Sequence, residues 1–250
     1  MAERVTSKVI ISGNVVEIYE YEHGYLKGYK AEGNNGRIQG YKSENYEDNR
    51  KATIQRAKRE IRRLINANIG QHGNNTAKFL SMTYAGNETD RDKANKDFKN
   101  FIQRLNYHIY DKKCSEVKYV SVIEYQERGA IHYHTVFFNI PYIPLKTIQN
   151  KIWKHGICWI NKIDKVDNVG AYITEYMGKD EQGKEVQDER SQGKKLYLAS
   201  RNLIKSTEIT QKKLVDAVAA ALPIQSKKFE IEFENEYTGK IKYSQFVQVP

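Results

Sequence analysis

The feature that most constrains the fold is the order of strand and helix patterns between residues 78 and 178. Short apolar or alternating runs that are typical of strands occur at 78–85, 117–126, 131–139 and 156–163. Helical patterns follow the first and third of these runs, from Asp90 to about Tyr110 and over 145–154. One more helix is predicted over 167–178, so the order is β-α-β-β-α-β followed by a helix.

That order is the split βαβ arrangement of ferredoxin-like and RRM-like domains, in which helices pack on an antiparallel sheet. We therefore predict an α+β fold with this core and with additions at both ends of the chain. The N-terminal addition has strand patterns at Val9–Ile11 and Val15–Tyr21. The C-terminal addition has a helix in TQKKLVDAVAAALP and a hairpin around Thr238 and Gly239. Pairing of the N-terminal strands with the C-terminal hairpin is a further hypothesis.

The charge balance favours a polyanionic partner, because Lys and Arg number 41 against 31 Asp and Glu, a formal net charge of +10. Part of this charge lies on a predicted helix over 48–68. The helix has an apolar stripe on one side and seven cations on its other sides: Arg50, Lys51, Arg56, Lys58, Arg59, Arg62 and Arg63. Both a solvated helix face and a contact with DNA phosphates are open, and seven cations against one Glu favour the phosphates.

Cysteine usage and hydropathy both predict the cytoplasm. Cys114 and Cys158 have neither CxxC nor zinc-site spacing, which suits a reducing compartment. No stretch approaches the roughly 18 apolar residues that a membrane-spanning helix needs, and the first residues lack a long apolar signal region. We expect no membrane partner.

The strand pattern at 131–139 places two histidines on one face. Residues two apart on a strand point the same way, so His132 and His134 share a face while Tyr133 and Thr135 point to the other. Two neutral imidazoles suit a divalent metal when a third ligand comes from elsewhere. Taken alone, the pattern is more often two ordinary histidines.

The third ligand can come from the preceding strand. If the turn spans Glu127 to Gly129, Glu124 lies opposite His132, and Gln126 lies on the same face. Glu127 competes for this role if the turn is longer. A carboxylate beside two imidazoles makes a mixed nitrogen and oxygen site that suits Mg²⁺ or Mn²⁺ in phosphate chemistry.

A second group of candidate residues lies in AYITEYMGK, residues 171–179. On a helix Tyr172 and Tyr176 are four apart and share a face, and Lys179 is three beyond Tyr176. Ordinary packing is one interpretation, and a phenolate nucleophile is the other. A free phenol has a pKa of about 10, so attack at neutral pH needs a nearby cation or a metal-polarised electrophile. Lys179 can supply that charge or orient a phosphate.

Together the two groups resemble the HUH endonucleases, and more closely the rolling-circle replication initiators of single-stranded DNA phages and small bacterial plasmids. Three family motifs occur in order: the strand KFLSMTYA, the metal motif ERGAIHYHTVFF and the two-tyrosine motif AYITEYMGK. The flanking TDRDKANKDFKNFIQRL and LYLASRNL are also similar to this family. The resemblance covers about residues 50–205.

The resemblance implies a metal-dependent single-strand DNA endonuclease and nucleotidyltransferase. A tyrosine attacks the scissile phosphate at the origin, a 5′-phosphotyrosine link forms, and the free 3′-OH primes synthesis before the strands are rejoined at termination. Tyr176 occupies the YxxK position and is the predicted first nucleophile, with Tyr172 as the second tyrosine. Mn²⁺ or Mg²⁺ would be held by His132, His134 and Glu124.

The predicted DNA contacts are Thr83, Arg56, Arg59, Arg62, Arg63 and Arg128. The expected partners are single-stranded or hairpin origin DNA, a host helicase and a host DNA polymerase, in the cytoplasm of a bacterial cell. No Walker A loop follows any of the four Gly-Lys pairs, so a separate helicase must open the duplex. The predicted domains are an accessory segment (1–75, strands and the basic helix), a catalytic domain (76–205) and a C-terminal extension (206–250).

Two other interpretations of the motifs compete with this one. An HUH transposase or relaxase shares the metal and tyrosine chemistry, but relaxases usually carry the nucleophile ahead of the histidines, and here it follows them. An RRM-like RNA-binding module shares the element order. Its sheet needs aromatic residues that stack on bases, whereas RGAIHYHTVFF presents His132 and His134.

Overall fold

A computed structural model of the chain describes residues 3–28, 46–73, 76–126, 128–163, 170, 173–174 and 194–248. The described strands are β1 (Glu3–Ser12), β2 (Val15–Lys27), β3 (Lys78–Met82), β4 (Tyr119–Tyr125), β5 (Ile131–Phe137), β6 (Cys158–Lys162), β7 (Tyr197–Ala199), β8 (Thr207–Ile209), β9 (Lys227–Asn235) and β10 (Gly239–Val247). The described helices are α1 (Tyr46–Asn68), α2 (Arg91–Tyr110), α3 (Leu145–Thr147, continued by the π-helical turn Ile148–Trp153), α4 (Lys212–Ala221) and the 3-10 turn Ile224–Ser226.

The chain forms two compact units, each built on one five-stranded antiparallel sheet. The terminal unit combines Met1–Glu47 with Lys205–Pro250, and the central unit is Asp48–Ile204. The basic helix α1 lies almost wholly within the central unit, whereas the sequence analysis grouped it with the N-terminal strands. The functional domain boundaries at residues 75 and 205 stay predictions. No described helix is both long enough and apolar enough to cross a bilayer.

The sheet of the central unit has the strand order β6-β3-β5-β4-β7, with antiparallel pairing throughout. Its first four strands in chain order are therefore arranged as in a split βαβ domain, with the third strand between the first and second and the fourth beside the first. The predicted α+β class and antiparallel core are confirmed. β7, from the segment LYLASRNL, adds a fifth strand at the edge.

Helix α2 begins where the sequence predicts. The Asp90 side chain accepts hydrogen bonds from the backbone N–H groups of Asp92 and Lys93, at 2.8 and 3.2 Å. Such a cap satisfies N–H groups that have no partner within the helix. The helix ends at Asp111, whose backbone is left-handed with φ of 51°.

The two faces of the central sheet carry different elements. On one face, Phe98 and Phe101 of α2 pack on Tyr133 and Phe137; we call this the α2 face. The other carries alternate residues of the same strands: Val122, Glu124, His132, His134 and Val136. We call it the histidine face. Ile61 and Ile65 of α1 form an apolar cluster with Val122 and Val136 there.

The sheet of the terminal unit has the order β8-β1-β2-β10-β9. β10 pairs with β2 over Val15–Tyr21, so the hypothesis that the N-terminal strands pair with the C-terminal hairpin is confirmed. One face is covered by α4, whose Val215 joins a buried cluster with Val9, Val16 and Phe246.

Candidate metal centre and nucleic-acid surface

A tight turn between β4 and β5 fixes which residues lie opposite each other. The N–H of Gln126 donates to the carbonyl of Ala130 at 2.9 Å, and the N–H of Gly129 donates to the carbonyl of Gln126 at 2.7 Å. Gly129 has a φ of 86°, which suits the residue without a Cβ. The resulting register pairs Glu124 with His132. This is the arrangement expected from the shorter turn.

His134 is held at both ring nitrogens and on one ring face. Its Nε2 lies 2.7 Å from Oε2 of Glu124, and its Nδ1 lies 3.1 Å from the hydroxyl of Ser81 on β3. The ring stacks on Phe79, with 5.9 Å between ring centroids and 10° between planes. With the proton on Nε2, the imidazole donates to the Glu124 carboxylate and accepts at Nδ1 from Ser81. His134 is therefore a buried, oriented imidazole and its partner is a carboxylate.

His132 shares this face and is half-buried. Burial lowers the pKa of its imidazole below the ordinary value of 6.5, and the nearby His134 and Arg128 act in the same direction while Glu124 opposes them. The ring is thus neutral at pH 7, with a lone pair available to a metal ion.

The donor set fits a divalent metal chemically, although it is not gathered into a finished site. Within the described residues, no three His, Cys, Asp or Glu side chains converge as a metal-binding group. The structure brings Glu124 and His134 together and aims His132 to the same side. Of the alternative ligands, Gln126 uses its side-chain oxygen to accept from Nε of Arg128 at 3.2 Å, and Glu127 lies outside the described residues.

The predicted catalytic residues Tyr172, Tyr176 and Lys179 lie outside the described residues. Two described residues of the same motif, Ile173 and Thr174, are helical and buried. Ile173 belongs to the apolar cluster of α1 on the histidine face. This part of the motif therefore lies on the same side of the sheet as the two histidines.

The helical residue Gly170, just before the motif, marks a close approach to α1. A Cβ placed on Gly170 would lie 2.9 Å from the Cα of Arg62, so only a residue without a side chain fits without a shift. The backbone at Gly170 is thus pressed against the middle of the basic helix.

The predicted DNA-binding residues have unequal exposure. Arg56, Arg59 and Arg62 are exposed on α1, Arg63 is half-buried, and Arg128 is exposed beside the β4–β5 turn. Thr83 is buried, and both its N–H and its hydroxyl donate to the carbonyl of Ile157, at 3.0 and 3.4 Å. The contacts that the structure gives Thr83 are therefore internal, and its role at DNA stays a prediction.

A groove of about 540 Å³ runs between α1 and β7. Arg56, Lys194 and Lys195 supply positive charge along it. Its floor includes Tyr197, whose pKa is raised by burial and by a hydrogen bond to Glu60, so its phenol stays protonated. Cations beside aromatic rings are the usual lining of a path for single-stranded nucleic acid.

Sequence reasoning missed Ser81 and Phe79, the two residues of β3 that orient His134. The one polar residue in the apolar run KFLSM was the signal that could have found Ser81. In a split βαβ sheet the first strand lies beside the third, so β3 was bound to adjoin β5.

Residues 77–181 match the family model described as replication-associated protein, of the ORF2 and gene 2 protein type. This span contains β3 to β6, both histidines, Glu124 and the segment AYITEYMGK. The match supports a role as a replication initiator. No curated protein and no solved structure shows a significant match to the chain.

Proposed function

We propose that the chain is a rolling-circle replication initiator that nicks single-stranded origin DNA by metal-assisted tyrosine attack and rejoins strands at termination. The observation that carries the proposal is the largely buried Glu124–His134 pair, with His132 directly opposite Glu124. It lies within the span that matches the replication-associated family. A carboxylate and an imidazole on central strands otherwise disrupt a sheet face that is apolar elsewhere.

Glu124, His132 and His134 would hold the metal. When bound, Mn²⁺ or Mg²⁺ would polarise the scissile phosphate and offset the charge that develops on it. Ser81 contributes indirectly, because its hydrogen bond to Nδ1 keeps Nε2 of His134 directed at Glu124.

Tyr176 is the proposed first nucleophile. Its phenolic oxygen attacks phosphorus, the bond from phosphorus to the 3′-oxygen breaks, and the departing oxygen takes up a proton to become the 3′-OH. The product is a 5′-phosphotyrosine link. Lys179 would stabilise the phenolate or orient the phosphate, and Tyr172 would act in the closing transfer. Attack of a 3′-OH on the phosphotyrosine reverses the bond changes and rejoins the strands.

The DNA strand would reach this centre along the basic groove. Arg56 and Lys195 line the groove, and Arg59 and Arg62 extend the positive surface along α1. Strand opening and synthesis would need a host helicase and a host polymerase, in the cytoplasm of a bacterial cell.

The test is a covalent adduct formed with a single-stranded origin stem-loop and Mn²⁺. We expect the wild-type chain to give an adduct that survives denaturation, and the Tyr172→Phe/Tyr176→Phe variant to give none. Tyr142→Phe is the matched control, since Tyr142 is 82% exposed and away from the motif. An adduct that persists in the double variant contradicts the mechanism, and the single variants show which tyrosine acts first.

The metal centre is tested separately by Glu124→Gln. This change keeps the shape and a hydrogen-bond acceptor for His134 but removes the charge. We expect Mn²⁺ affinity in calorimetry to fall by at least about tenfold and the adduct to be lost. Unchanged Mn²⁺ affinity would remove Glu124 from the proposed ligand set.

A further inference from the structure

Strand β9 lies at one end of the strand order of the terminal unit. One side of it pairs with β10 over Lys227–Asn235, and all nine of its residues are exposed. An edge strand of this length has backbone N–H and C=O groups that are available to another strand.

One face of β9 is an apolar stripe. Phe229, Ile231 and Phe233 are 49, 45 and 46% exposed and lie on the same side, because they are two residues apart. The stripe continues inward across the sheet, where Phe229 lies 6.0 Å from the ring of Tyr243. Such an edge normally carries charges, a proline or a cover that prevents pairing. Here the charges point to the other face, so the stripe itself is open.

The other face of β9 is acidic and partly neutralised within the chain. The carboxylate of Glu230 is 2.7 Å from Nζ of Lys227 and 3.7 Å from Nζ of Lys242, and it accepts from the hydroxyl of Ser244 at 2.9 Å. Glu232 and Glu234 follow on the same face, and Lys228 precedes them.

The sequence of β9 is symmetric about Ile231, since it runs Phe-Glu-Ile-Glu-Phe over 229–233. We propose that β9 is an interface for a second copy of this chain, which adds its own β9 antiparallel about a two-fold axis at Ile231. In this register Phe229 faces Phe233 of the second copy, and the two Ile231 side chains face each other. The same patch serves both copies, as a two-fold interface requires.

Charge on the opposite face supports this register. Lys228 lies across from Glu234 of the second copy, twice over, which is a favourable cross-strand pair. Glu230 faces Glu232 of the second copy, but Lys227 and Lys242 already compensate Glu230. A shift by one residue would place phenylalanines beside glutamates and move the apolar set to the wrong face. The interface does not depend on the nuclease chemistry.

The oligomeric state of the full chain tests the proposal. Sedimentation equilibrium over micromolar concentrations should show twice the chain mass of 29.1 kDa. Ile231→Lys should raise the dimer dissociation constant on the order of 100-fold, because two lysines then meet at the axis. Ile224→Lys is the control: Ile224 is 86% exposed in the same unit and should leave the constant unchanged. A wild-type monomer at every concentration, or equal weakening by both variants, overturns the proposal.

The register is tested by exchanging charges. Lys228→Glu and Glu234→Lys should each raise the dissociation constant by about tenfold, and the double variant should restore it. Both residues are exposed, so circular dichroism should show that every variant folds. A double variant that is weaker than either single variant contradicts the pairing of Lys228 with Glu234.

Discussion

The two faces of the central sheet are built by the same strands and hold polar groups in opposite ways. On the α2 face, Ser121 and Thr135 bond to each other at 2.7 Å and are fully buried, so their hydroxyls are paired internally. On the histidine face, the chain of bonds from Ser81 through His134 ends at Glu124, a carboxylate with further lone pairs. The difference teaches that alternate residues of one strand can serve stability on one side and chemistry on the other.

The largest expected effect separates the faces by stability. Phe137 is fully buried on the α2 face, so Phe137→Ala should lower the free energy of unfolding by about 3–5 kcal/mol. His132→Ala, at a half-buried position on the histidine face, should cost less than about 1.5 kcal/mol and abolish the adduct. Urea denaturation measures both. Equal costs would contradict the division of roles.

A second prediction concerns the contact between Gly170 and α1. Gly170→Ala places a Cβ against the Arg62 backbone and must displace one of the two segments. We expect adduct formation to slow by roughly 10- to 100-fold, because the attacking group is misplaced, while Mn²⁺ affinity stays unchanged. Gly86→Ala is the matched control, since a Cβ there meets nothing within 4 Å. An unaffected rate in Gly170→Ala would show that this contact does not position the motif.

Two serines on opposite faces give a matched pair for a smaller effect. Ser81→Ala removes the bond to Nδ1 of His134 and should lower Mn²⁺ affinity by about tenfold. Ser121→Ala should leave that affinity unchanged and lower stability by about 1 kcal/mol. Titration calorimetry and urea denaturation of both variants provide the comparison, and a reversed pattern would show that the roles of the two faces are exchanged.

The smallest effect is a pH dependence of stability. The folded chain holds the pKa of His132 below 6.5, so the unfolded chain takes up this proton first as the pH falls. The wild-type chain should therefore lose stability relative to His132→Ala as the pH falls below about 6.5 towards the folded pKa, and the difference should be constant above neutrality. Denaturation curves of both proteins between pH 5 and 8 measure this. A difference that does not change with pH would contradict the shifted pKa.

Several parts of the fold follow from short stretches of sequence. Asp90 predicts the start of α2, and the turn containing Gly129 predicts that Glu124 meets His132. Both depend on neighbouring residues alone, namely a cap and the length of a turn. The predicted helix over 167–178 lies outside the described residues except at Gly170, Ile173 and Thr174, so most of it stays a prediction.

Other features depend on residues far apart in the chain. The bond between Ser81 and His134 joins residues 53 apart, and no local pattern pairs them. The stacking of Phe79 on His134 and the close approach of Gly170 to Arg62 arise in the same way.

The sequence by itself determined the types of elements and which residues share a strand face, because periods of 2 and 3.6 residues are local properties of the backbone. It also placed His132 and His134 on one side and predicted the pairing of Glu124 with His132. Only the tertiary structure decided that Glu124 bonds to His134 and that Ser81 orients that ring. The reason is physical: strand pairing between distant segments sets side-chain distances, and these distances decide which polar groups meet.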